Sequence, residues 1–380
     1  MARLKIGIAG GGVGGMAAAI ALIKAGHEVE VFEQATDYRR VGADINLTPN
    51  AVHALDGLGV VDAIKETAAR PTHRISRMWD TGQETSRLEM ADEAVRKYGA
   101  PQLTIHRADL LDALRRQLPE TVVKLGHRIE TIEAETANPR IRFANGAERE
   151  VELLVGADGI HSPTRTALFG LEHPQFTGLV SYRCVVDRTK LSLPNLDAFT
   201  KWWGPTPDRQ IVTFPLNRGR ETFVFATTAQ PDWRHESWTM PGDVKELRRA
   251  YADFHPEARA LLEACDSVTK SALYVRDPLP AWSRGAVTLL GDACHPMVPF
   301  MAQGACMAVE DAVVLGKAMA GIGRPDIGLA LKHYEGARKE RTARVQIGSR
   351  GNEWLREGGN ADWVYGYDAT AVKWEQTHAE

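Results

Sequence analysis

The stretch Lys5-Ile-Gly-Ile-Ala-Gly-Gly-Gly-Val-Gly-Gly15 decides the fold class. Its first five residues predict a buried strand, and residues 10–15 follow the pattern Gly-x-Gly-x-x-Gly, which is typical of a strand-to-helix turn that binds a dinucleotide. Residues 16–25 are rich in alanine and predict the helix, and residues 27–32 predict a second strand. The segment therefore predicts the first half of a Rossmann-type sheet. The residues expected to bind the dinucleotide are Gly10, Gly12, Val13, Gly15 and Glu33, whose carboxylate can accept hydrogen bonds from a ribose diol.

Composition and charge exclude several classes of protein. The chain has 46 basic and 49 acidic residues and a net charge of −3, without a basic block, which argues against nucleic-acid binding. Its four cysteines show no CxxC spacing, so we expect reduced thiols and no metal site. The apolar run at residues 16–23 is much shorter than the ~20 residues that span a bilayer. With no signal-peptide pattern at the N-terminus, we expect a cytoplasmic protein.

The middle of the chain differs in pattern from its two ends. Residues 209–214 and 221–227 alternate between apolar and polar side chains, which predicts antiparallel strands. Residues 287–290 predict one more buried strand, and a long helical region is expected at about 305–345. We therefore predict an α/β protein in three segments. These are residues 1–176, the first part of a nucleotide-binding domain, residues 177–270, mainly a substrate-binding sheet domain, and residues 271–380, the completion of the first domain with C-terminal helices.

Two further motifs follow predicted strands. Gly156-Ala-Asp-Gly159 is an Asp-Gly corner, which taken alone indicates only a turn. Gly291-Asp-Ala-Cys-His-Pro296 leads into Pro299-Phe-Met-Ala-Gln-Gly304 and then a helix. In the second motif Asp292 can hydrogen-bond a polyol chain, and the amides at the start of the helix can bind a carbonyl that carries negative charge.

The order of these motifs, with His106-Arg107 between the first and the second, resembles the class A flavoprotein aromatic hydroxylases over essentially the whole chain. Lys201-Trp-Trp203 and Met301-Ala-Gln-Gly-Ala-Cys-Met-Ala308 are most similar to the members of that family that hydroxylate hydroxynicotinate. Salicylate hydroxylases are a more distant resemblance. The family implies a Rossmann-type FAD-binding domain with an inserted antiparallel-sheet substrate domain and C-terminal helices. It also implies FAD as the cofactor and NADH or NADPH as the co-substrate.

The resemblance assigns the remaining site residues. The cofactor-binding set is extended by Arg107, Asp158, Asp292, Gly304 and Ala305. The predicted substrate-binding residues are Asn46, Phe199, Gln210, Phe214, Phe225 and Phe300, and the candidate catalytic residues are Asn46, Gln210 and His295. At Asn46, Phe199, Gln210, Phe214 and Phe300 the similar family members carry His, Cys, His, Tyr and His, so the polar groups of the pocket change while the cofactor motifs remain.

Several assignments stay open at this stage. His295 is interpreted as a positioning residue, with proton transfer as the alternative. Arg183 could anchor a carboxylate or the nicotinamide cofactor, or could form an ordinary ion pair, and one residue of the Trp202-Trp203 pair could line the pocket.

The expected function is that of a FAD-dependent monooxygenase, which uses NAD(P)H and O2 to hydroxylate a small hydroxylated aromatic or pyridine carboxylic acid, with or without loss of CO2. A salicylate-type hydroxylase and a flavin oxidase or dehydrogenase on the same fold are the alternatives. A non-enzymatic FAD-binding protein and an NAD-binding dehydrogenase are weaker ones. Nothing in the sequence decides between a monomer and a homodimer.

Overall fold

The computed structural model describes residues 3–38, 44–237, 240–351, 354–356 and 360–374. The helices of this part are α1 (Val13–Lys24), α2 (Pro49–Gly57), α3 (Val61–Lys65), α4 (Asp92–Tyr98), α5 (Arg107–Arg115), α6 (Pro163–Phe169), α7 (Val244–Ala250), α8 (Pro256–Glu263), α9 (Gly304–Met319), α10 (Ile327–Arg350) and α11 (Asp362–Tyr365). The strands are β1 (Lys5–Ala9), β2 (Glu28–Phe32), β3 (Asp44–Leu47), β4 (His73–Met78), β5 (Glu84–Glu89), β6 (Leu103–His106), β7 (Val123–Lys124), β8 (Ile129–Glu133), β9 (Arg140–Phe143), β10 (Glu148–Glu150), β11 (Leu153–Gly156), β12 (Gln175–Asp187), β13 (Phe199–Trp203), β14 (Gln210–Leu216), β15 (Glu221–Ala229), β16 (Pro241–Gly242), β17 (Val268–Val275), β18 (Ser283–Arg284) and β19 (Val287–Leu289).

A six-stranded sheet forms the nucleotide-binding half, in the order β18-β19-β11-β1-β2-β7. Its strands are parallel except for β18, which is antiparallel to β19. The strands β1, β11 and β19 are almost entirely buried, because helices cover both faces of a parallel sheet. The predicted Rossmann-type fold is therefore confirmed, and β1, β2, β11 and β19 lie at the predicted positions.

The three glycines of the first turn differ in why a side chain would be unfavourable at each position. Gly10 has φ = +99°, and a Cβ there would lie 2.4 Å from the Ala157 oxygen. A Cβ on Gly15 would lie 2.0 Å from the Gly10 oxygen. Gly12, by contrast, has an ordinary φ of −75°, and the nearest atom to a Cβ there would be Arg107 Nη2 at 4.0 Å. The fold itself therefore requires Gly10 and Gly15, whereas Gly12 leaves open space beside the start of α1.

An eight-stranded sheet forms the second half, in the order β16-β17-β12-β15-β14-β13-β4-β5. It is antiparallel except where β13 pairs with β4. The strands β4 and β5 come from the segment 1–176, so the sheet is not built from the middle segment alone. Residues of α7 and α8 pack on one face of the sheet, and residues 298–300 of the first domain contact the other face.

The helical region predicted at 305–345 consists of two helices, α9 and α10. The chain leaves α9 after Met319, passes Gly321 at φ = +74° and a short 3₁₀ turn that contains Pro325, and then enters α10. Both residues disfavour a continuous helix, glycine because of its conformational freedom and proline because it lacks an N–H. Among the helices of the described ranges, none combines the length and the apolar character that a membrane span requires.

A fully buried cluster of charged residues joins α9 to α10. Glu310, Asp311 and Arg338 have completely buried side chains, and Arg338 contacts Glu310 at 2.6 Å and Asp311 at 2.8 Å. Arg341 contacts Glu310 at 2.9 Å, so two guanidinium groups compensate two carboxylates. Because each buried charge depends on its partner, the cluster fixes the two helices relative to each other.

We expect Arg338→Met to lower the free energy of unfolding by about 3–5 kcal/mol, because it leaves Glu310 and Asp311 as buried carboxylates with fewer partners. Urea denaturation followed by circular dichroism measures this. Lys332→Met, on the exposed side of the same helix, serves as the control and should change stability by less than about 0.5 kcal/mol. Equal stability of the two variants would contradict the role given to the cluster.

We expect Gly12→Leu to fold but to bind FAD at least about tenfold more weakly, a loss of ~1.4 kcal/mol or more. The side chain has room within the protein and would occupy the space that the motif reserves for a pyrophosphate. Absorbance of the purified protein and titration of the apoprotein with FAD measure this. Gly15→Ala is the matched variant, and it should fail to fold stably because its Cβ meets the Gly10 oxygen. Normal FAD affinity in Gly12→Leu would overturn the assignment of this turn.

Candidate functional site

The predicted cofactor residues meet at the carboxyl edge of the parallel sheet. Gly12 follows β1, Glu33 follows β2, Asp158 follows β11 and Asp292 follows β19. In a doubly wound fold this edge is where ligands bind. These positions adjoin deeply buried strands, yet they are open to solvent. Three of them, Gly12, Glu33 and Asp158, are partly accessible, and Asp292 is exposed. The four positions therefore outline a groove that is open to a ligand.

Glu33 is held in one orientation by the backbone around it. One of its carboxylate oxygens accepts a hydrogen bond from the Gly11 amide at 2.7 Å, and the other accepts one from the Ala35 amide at 2.8 Å. A carboxylate oxygen has lone pairs for a further bond. The side chain is thus fixed beside the glycine turn and can still accept hydrogen bonds from a ribose diol.

Arg107 interacts electrostatically with carboxylates from two parts of the groove. Arg107 is the first residue of α5, and its guanidinium interacts electrostatically with Glu33 and Asp292. The protein surrounding Asp292 raises the pKa of its carboxyl, while His295 and Arg107 oppose this shift. A Cβ on Gly304 would lie 3.9 Å from the Asp292 carboxylate, so the start of α9, with Gly304 and Ala305 both partly accessible, adjoins it.

This set of residues fits FAD. The open space at Gly12 suits a pyrophosphate at the N-terminus of α1, and Glu33 suits the adenosine ribose. Asp292 is a carboxylate in position for a polyol, and the free amides at the start of α9 suit the polar edge of a flavin ring. Arg107 supplies a cation between these groups.

The carboxylate of Asp158 accepts hydrogen bonds from residues of the loop that follows it. Ser162 Oγ donates a hydrogen bond to one carboxylate oxygen, and Thr164 donates to the other through its amide at 2.9 Å and its hydroxyl at 2.7 Å. These bonds hold the turn that starts α6. A direct role of Asp158 in binding the cofactor remains a prediction.

Four of the predicted substrate residues share one face of the eight-stranded sheet. Gln210, Phe214 and their cross-strand partners alternate along β14 and β15, and the Phe199 and Phe214 rings stack with centroids 5.4 Å apart. Phe225 lies on the same face because it pairs with Val212. Phe300 reaches this side from the loop before α9, where it packs with Leu273, Val275 and Val298.

Gln210 is a buried polar residue on this face. It is 1% exposed, and neither its amide oxygen nor its amide nitrogen has a hydrogen-bond partner among the described residues. Leaving such a group unpaired costs free energy in the folded protein. Gln210 is therefore a group that a bound ligand would satisfy.

Asn46 also has a side-chain amide atom without a hydrogen-bond partner among the described residues, but it lies outside the eight-stranded sheet. It is on β3, where its side-chain oxygen accepts a hydrogen bond from Gln102 at 2.6 Å, and its Nδ2 has no acceptor among the described residues. Its register partner Thr104 donates a hydrogen bond to the Pro215 carbonyl on β14 at 2.6 Å. The structure thus places Asn46 one strand away from β14, with its side-chain NH2 group available as a donor.

His295 belongs to the buried charged cluster. It is 1% exposed, its Nε2 contacts Asp311 at 2.6 Å, and its ring lies 5.4 Å from that of Trp282. This geometry favours the positioning interpretation over proton transfer to a substrate. Cys294, His295 and Asp311 are close enough together to be considered as metal ligands. However, Arg338 already compensates Asp311, and burial raises the pKa of the Cys294 thiol well above its usual value, so the group is organised as an ion-pair cluster.

The sequence did not predict Lys201 on this face, and it left the roles of Trp203 and Arg183 open. Lys201 and Trp203 lie on the same face as Gln210, whereas Trp202 points to the opposite core. Side chains alternate between the two faces along β13, but the sequence alone does not say which set of residues faces Gln210. The pairing of β13 with β14 decides it. Arg183 is also on this face, and burial raises the pKa of its electrostatic partner Asp44 to about 7. The three interpretations of Arg183, as an anchor for a carboxylate, as a contact of the nicotinamide cofactor and as a member of an ordinary ion pair, stay predictions.

Comparison with known proteins agrees with this site. Residues 3–347 match the family described as FAD binding domain. The chain is 40% identical to the 6-hydroxynicotinate 3-monooxygenase of Bordetella bronchiseptica, with 97% of this chain and 96% of the relative covered. It is 35% identical to the 3-hydroxybenzoate 6-hydroxylase of Polaromonas naphthalenivorans, with 92% and 87% covered. The solved structure of a salicylate hydroxylase substrate complex superimposes with a TM-score of 0.83 at 26% identity and covers 97% of each chain.

The match extends over both halves of the molecule, so it includes the cofactor groove as well as the sheet that carries Gln210. The resemblance inferred from the motifs is thereby confirmed, and FAD is the cofactor. The chain belongs to the family of proteins with this FAD-binding domain and is a FAD-dependent monooxygenase.

Proposed function

We propose that the enzyme hydroxylates a monocyclic aromatic or pyridine carboxylic acid that carries a ring hydroxyl, and that it prefers an isomer other than 6-hydroxynicotinate. The observation that carries this proposal is the unpaired side-chain amide of Gln210, which is buried on a face that also presents several phenylalanine rings. Such a pocket accepts a flat apolar ring and one polar substituent. NADH is the electron donor we favour, bound without a second glycine fingerprint, because the single one in the chain belongs to FAD. The cytoplasm is the expected location.

The aromatic side chains of the pocket exclude water. Phe199, Phe214 and Phe225 are at most 8% exposed, and Phe300 closes the side nearest the start of α9. Bound FAD supplies the chemistry that moves electrons from the nicotinamide to O2 and one oxygen atom to the ring. The contribution of the protein is then to hold the ring in a dry site, where water does not compete with the hydroxylation.

The two amides support a choice of isomer. Gln210 offers both a donor and an acceptor, and Asn46 offers a donor. Sites that hydrogen-bond a substrate group reject analogues that lack it, since the buried partner is then left unpaired. The resemblance described above implies that similar family members carry histidines at the positions of Asn46 and Gln210, so we expect a different pattern of ring substituents to fit here. A picolinate-type or benzoate-type acid is the candidate we favour.

The relatives define the alternative. Their names identify 6-hydroxynicotinate, 3-hydroxybenzoate and salicylate as substrates of similar enzymes. All three compounds are small aromatic acids with a ring hydroxyl or its tautomer. A salicylate-type reaction, in which hydroxylation replaces the carboxylate, is therefore the second candidate for this chain.

Substrate preference is tested with a panel of hydroxypicolinates, hydroxynicotinates, hydroxybenzoates and salicylate. We expect the best acid to exceed 6-hydroxynicotinate in kcat/KM by at least about tenfold, because an unmatched buried amide costs roughly 1–3 kcal/mol. Product formation is measured by chromatography alongside NADH oxidation, so that uncoupled oxidation is not counted. A clear preference for 6-hydroxynicotinate would show that the changes at Asn46 and Gln210 do not retune the pocket. NADH oxidation without hydroxylated product would favour an oxidase instead.

We expect Gln210→Met to lower kcat/KM for the best substrate by about tenfold or more, while the unfolding midpoint stays the same or rises. The substitution removes a hydrogen-bonding group from the substrate and, at the same time, an unpaired amide from the free protein. Thr213→Val, on the same strand but the opposite face, is the control and should keep kcat/KM within about twofold. A Gln210→Met variant with lower stability and unchanged kcat/KM would identify the amide as purely structural.

A further inference from the structure

A ring of three buried side chains joins the start of α9 to the start of α2. Asn50 Nδ2 donates a hydrogen bond to Gln303 Oε1 at 3.1 Å, and Gln303 Nε2 donates one to Thr48 Oγ1 at 2.8 Å. Thr48 Oγ1 closes the ring by donating to Asn50 Oδ1 at 2.7 Å. All three residues are at most 1% exposed, so water does not compete for these bonds. Each member therefore depends on the other two for its hydrogen-bond partners.

Glu310 fixes the direction in which the bonds of this ring run. Asn50 Nδ2 also donates to Glu310 Oε1 at 2.6 Å, and this carboxylate belongs to the buried charged cluster that joins α9 to α10. A carboxylate in an ion pair accepts hydrogen bonds and does not donate them, so the NH2 group of Asn50 has to face it. The amide oxygen of Asn50 then faces Thr48, and only one orientation of the Gln303 amide completes the ring. The buried charge thus orients both amides.

Gln303 occupies the N-cap position of α9, but its side chain makes no capping hydrogen bond. The first N–H groups of a helix have no partner within the helix, and an N-cap side chain commonly binds one of them. Here the side chain is used in the ring instead. The N–H groups of Gly304 and Ala305, which fit the polar edge of the flavin, are therefore held in place by a side chain that does not compete for them.

The backbone just before Gln303 has an unfavourable conformation. Ala302 has φ = +56°, in the left-handed region that residues with a Cβ rarely adopt. Such a conformation costs free energy and persists where the surrounding structure enforces it. The ring connects the next residue of this loop to Thr48 and Asn50, which belong to a separate part of the chain. We therefore expect the position of the loop to depend on the ring.

We propose that Asn50 is a positioning residue for the flavin, which acts through Gln303 to hold the first amides of α9 in place and thereby raises the reduction potential of bound FAD. A flavin gains negative charge when it is reduced, and N–H groups at a helix N-terminus stabilise negative charge. Amides that are already in position stabilise that charge better than amides that must first reorder. The inference concerns the cofactor and goes beyond the proposed choice of substrate, so either can fail without the other.

The test measures FAD affinity and the reduction potential of the bound flavin in Asn50→Leu, which has a similar volume and no hydrogen-bonding group. We expect oxidised FAD to bind about tenfold more weakly and reduced FAD about 100-fold more weakly. The tenfold difference between the two forms lowers the two-electron potential by about 30 mV. Titration of the apoprotein gives the dissociation constant, and equilibration with a reference dye gives the potential. Val52→Ala, a core change on the same helix, is the control and should lower stability without changing either quantity.

Gln303→Leu tests whether the effect of Asn50 passes through this residue. It should lower the potential in the same direction, and the double variant Asn50→Leu/Gln303→Leu should stay within about twofold of the larger single loss, because both changes break the same contact. Additive losses in the double variant would overturn the proposal. So would an equal fall of the potential in Val52→Ala, since a general loss of stability would then explain the effect.

Thr48→Val breaks the ring but keeps the bond between Asn50 and Glu310, so it serves if Asn50→Leu does not fold or does not retain FAD. We expect it to weaken the binding of reduced FAD about threefold more than that of oxidised FAD, because Gln303 loses one of its two partners in the ring. An unchanged potential in a folded, FAD-loaded variant at position 48 or 50 would show that the ring is purely structural and would overturn the proposal.

Discussion

The buried carboxylates Glu310 and Asp311 are the point on which the arrangement of the site depends. Asp311 accepts hydrogen bonds from the Gly291 amide and from His295, and so fixes the loop that carries Asp292. Glu310 accepts one from Asn50, which also donates to Gln303 in the loop before α9. Because two buried anions need several partners, they draw separate parts of the chain to one place. The geometry of the cofactor groove is thus a consequence of charge compensation deep inside the protein.

The two halves of the molecule contribute different kinds of groups to the candidate site. The nucleotide-binding half presents backbone amides, a fixed carboxylate and Arg107, which recognise a cofactor common to many reactions. The eight-stranded sheet presents side chains on a rigid pleated surface, where neighbouring residues on one strand point in opposite directions. Trp202 and Trp203 illustrate the result, because one packs in the core against α7 and α8 while the other faces the pocket. In the proposed function, the residues that select the substrate are therefore ones whose positions the sheet fixes closely.

The features that could be predicted from sequence are those with a local cause. The glycine turn and its flanking strands follow from backbone geometry over about fifteen residues, and the alternation along β14 and β15 predicted two strands of the second sheet. The position of Lys201 on the same face as Gln210 was not predicted, since its burial and its closeness to Arg74 arise only when β13 pairs with β4. The prediction of a helical region at about 305–345 did not say where that region divides, which the structure places at Gly321 and Pro325. The features that could not be predicted are therefore those that depend on long-range strand register rather than on local propensity.

The pairing of β13 with β4 also bears on how such pockets can change over evolutionary time. The sheet face proposed to bind the substrate is assembled from residues near 74, 201, 210 and 300. Ser76 donates a hydrogen bond to the Leu355 carbonyl, which ties the region near residue 355 to the same sheet. A chimera that received residues 177–270 from a relative would inherit a new Lys201 and Gln210 position but keep the old Arg74 and Phe300. Recombination of contiguous gene segments would therefore tend to produce mismatched walls. Diversification of this pocket is better served by accumulated point substitutions at scattered codons, and libraries for directed evolution should combine those positions rather than shuffle blocks.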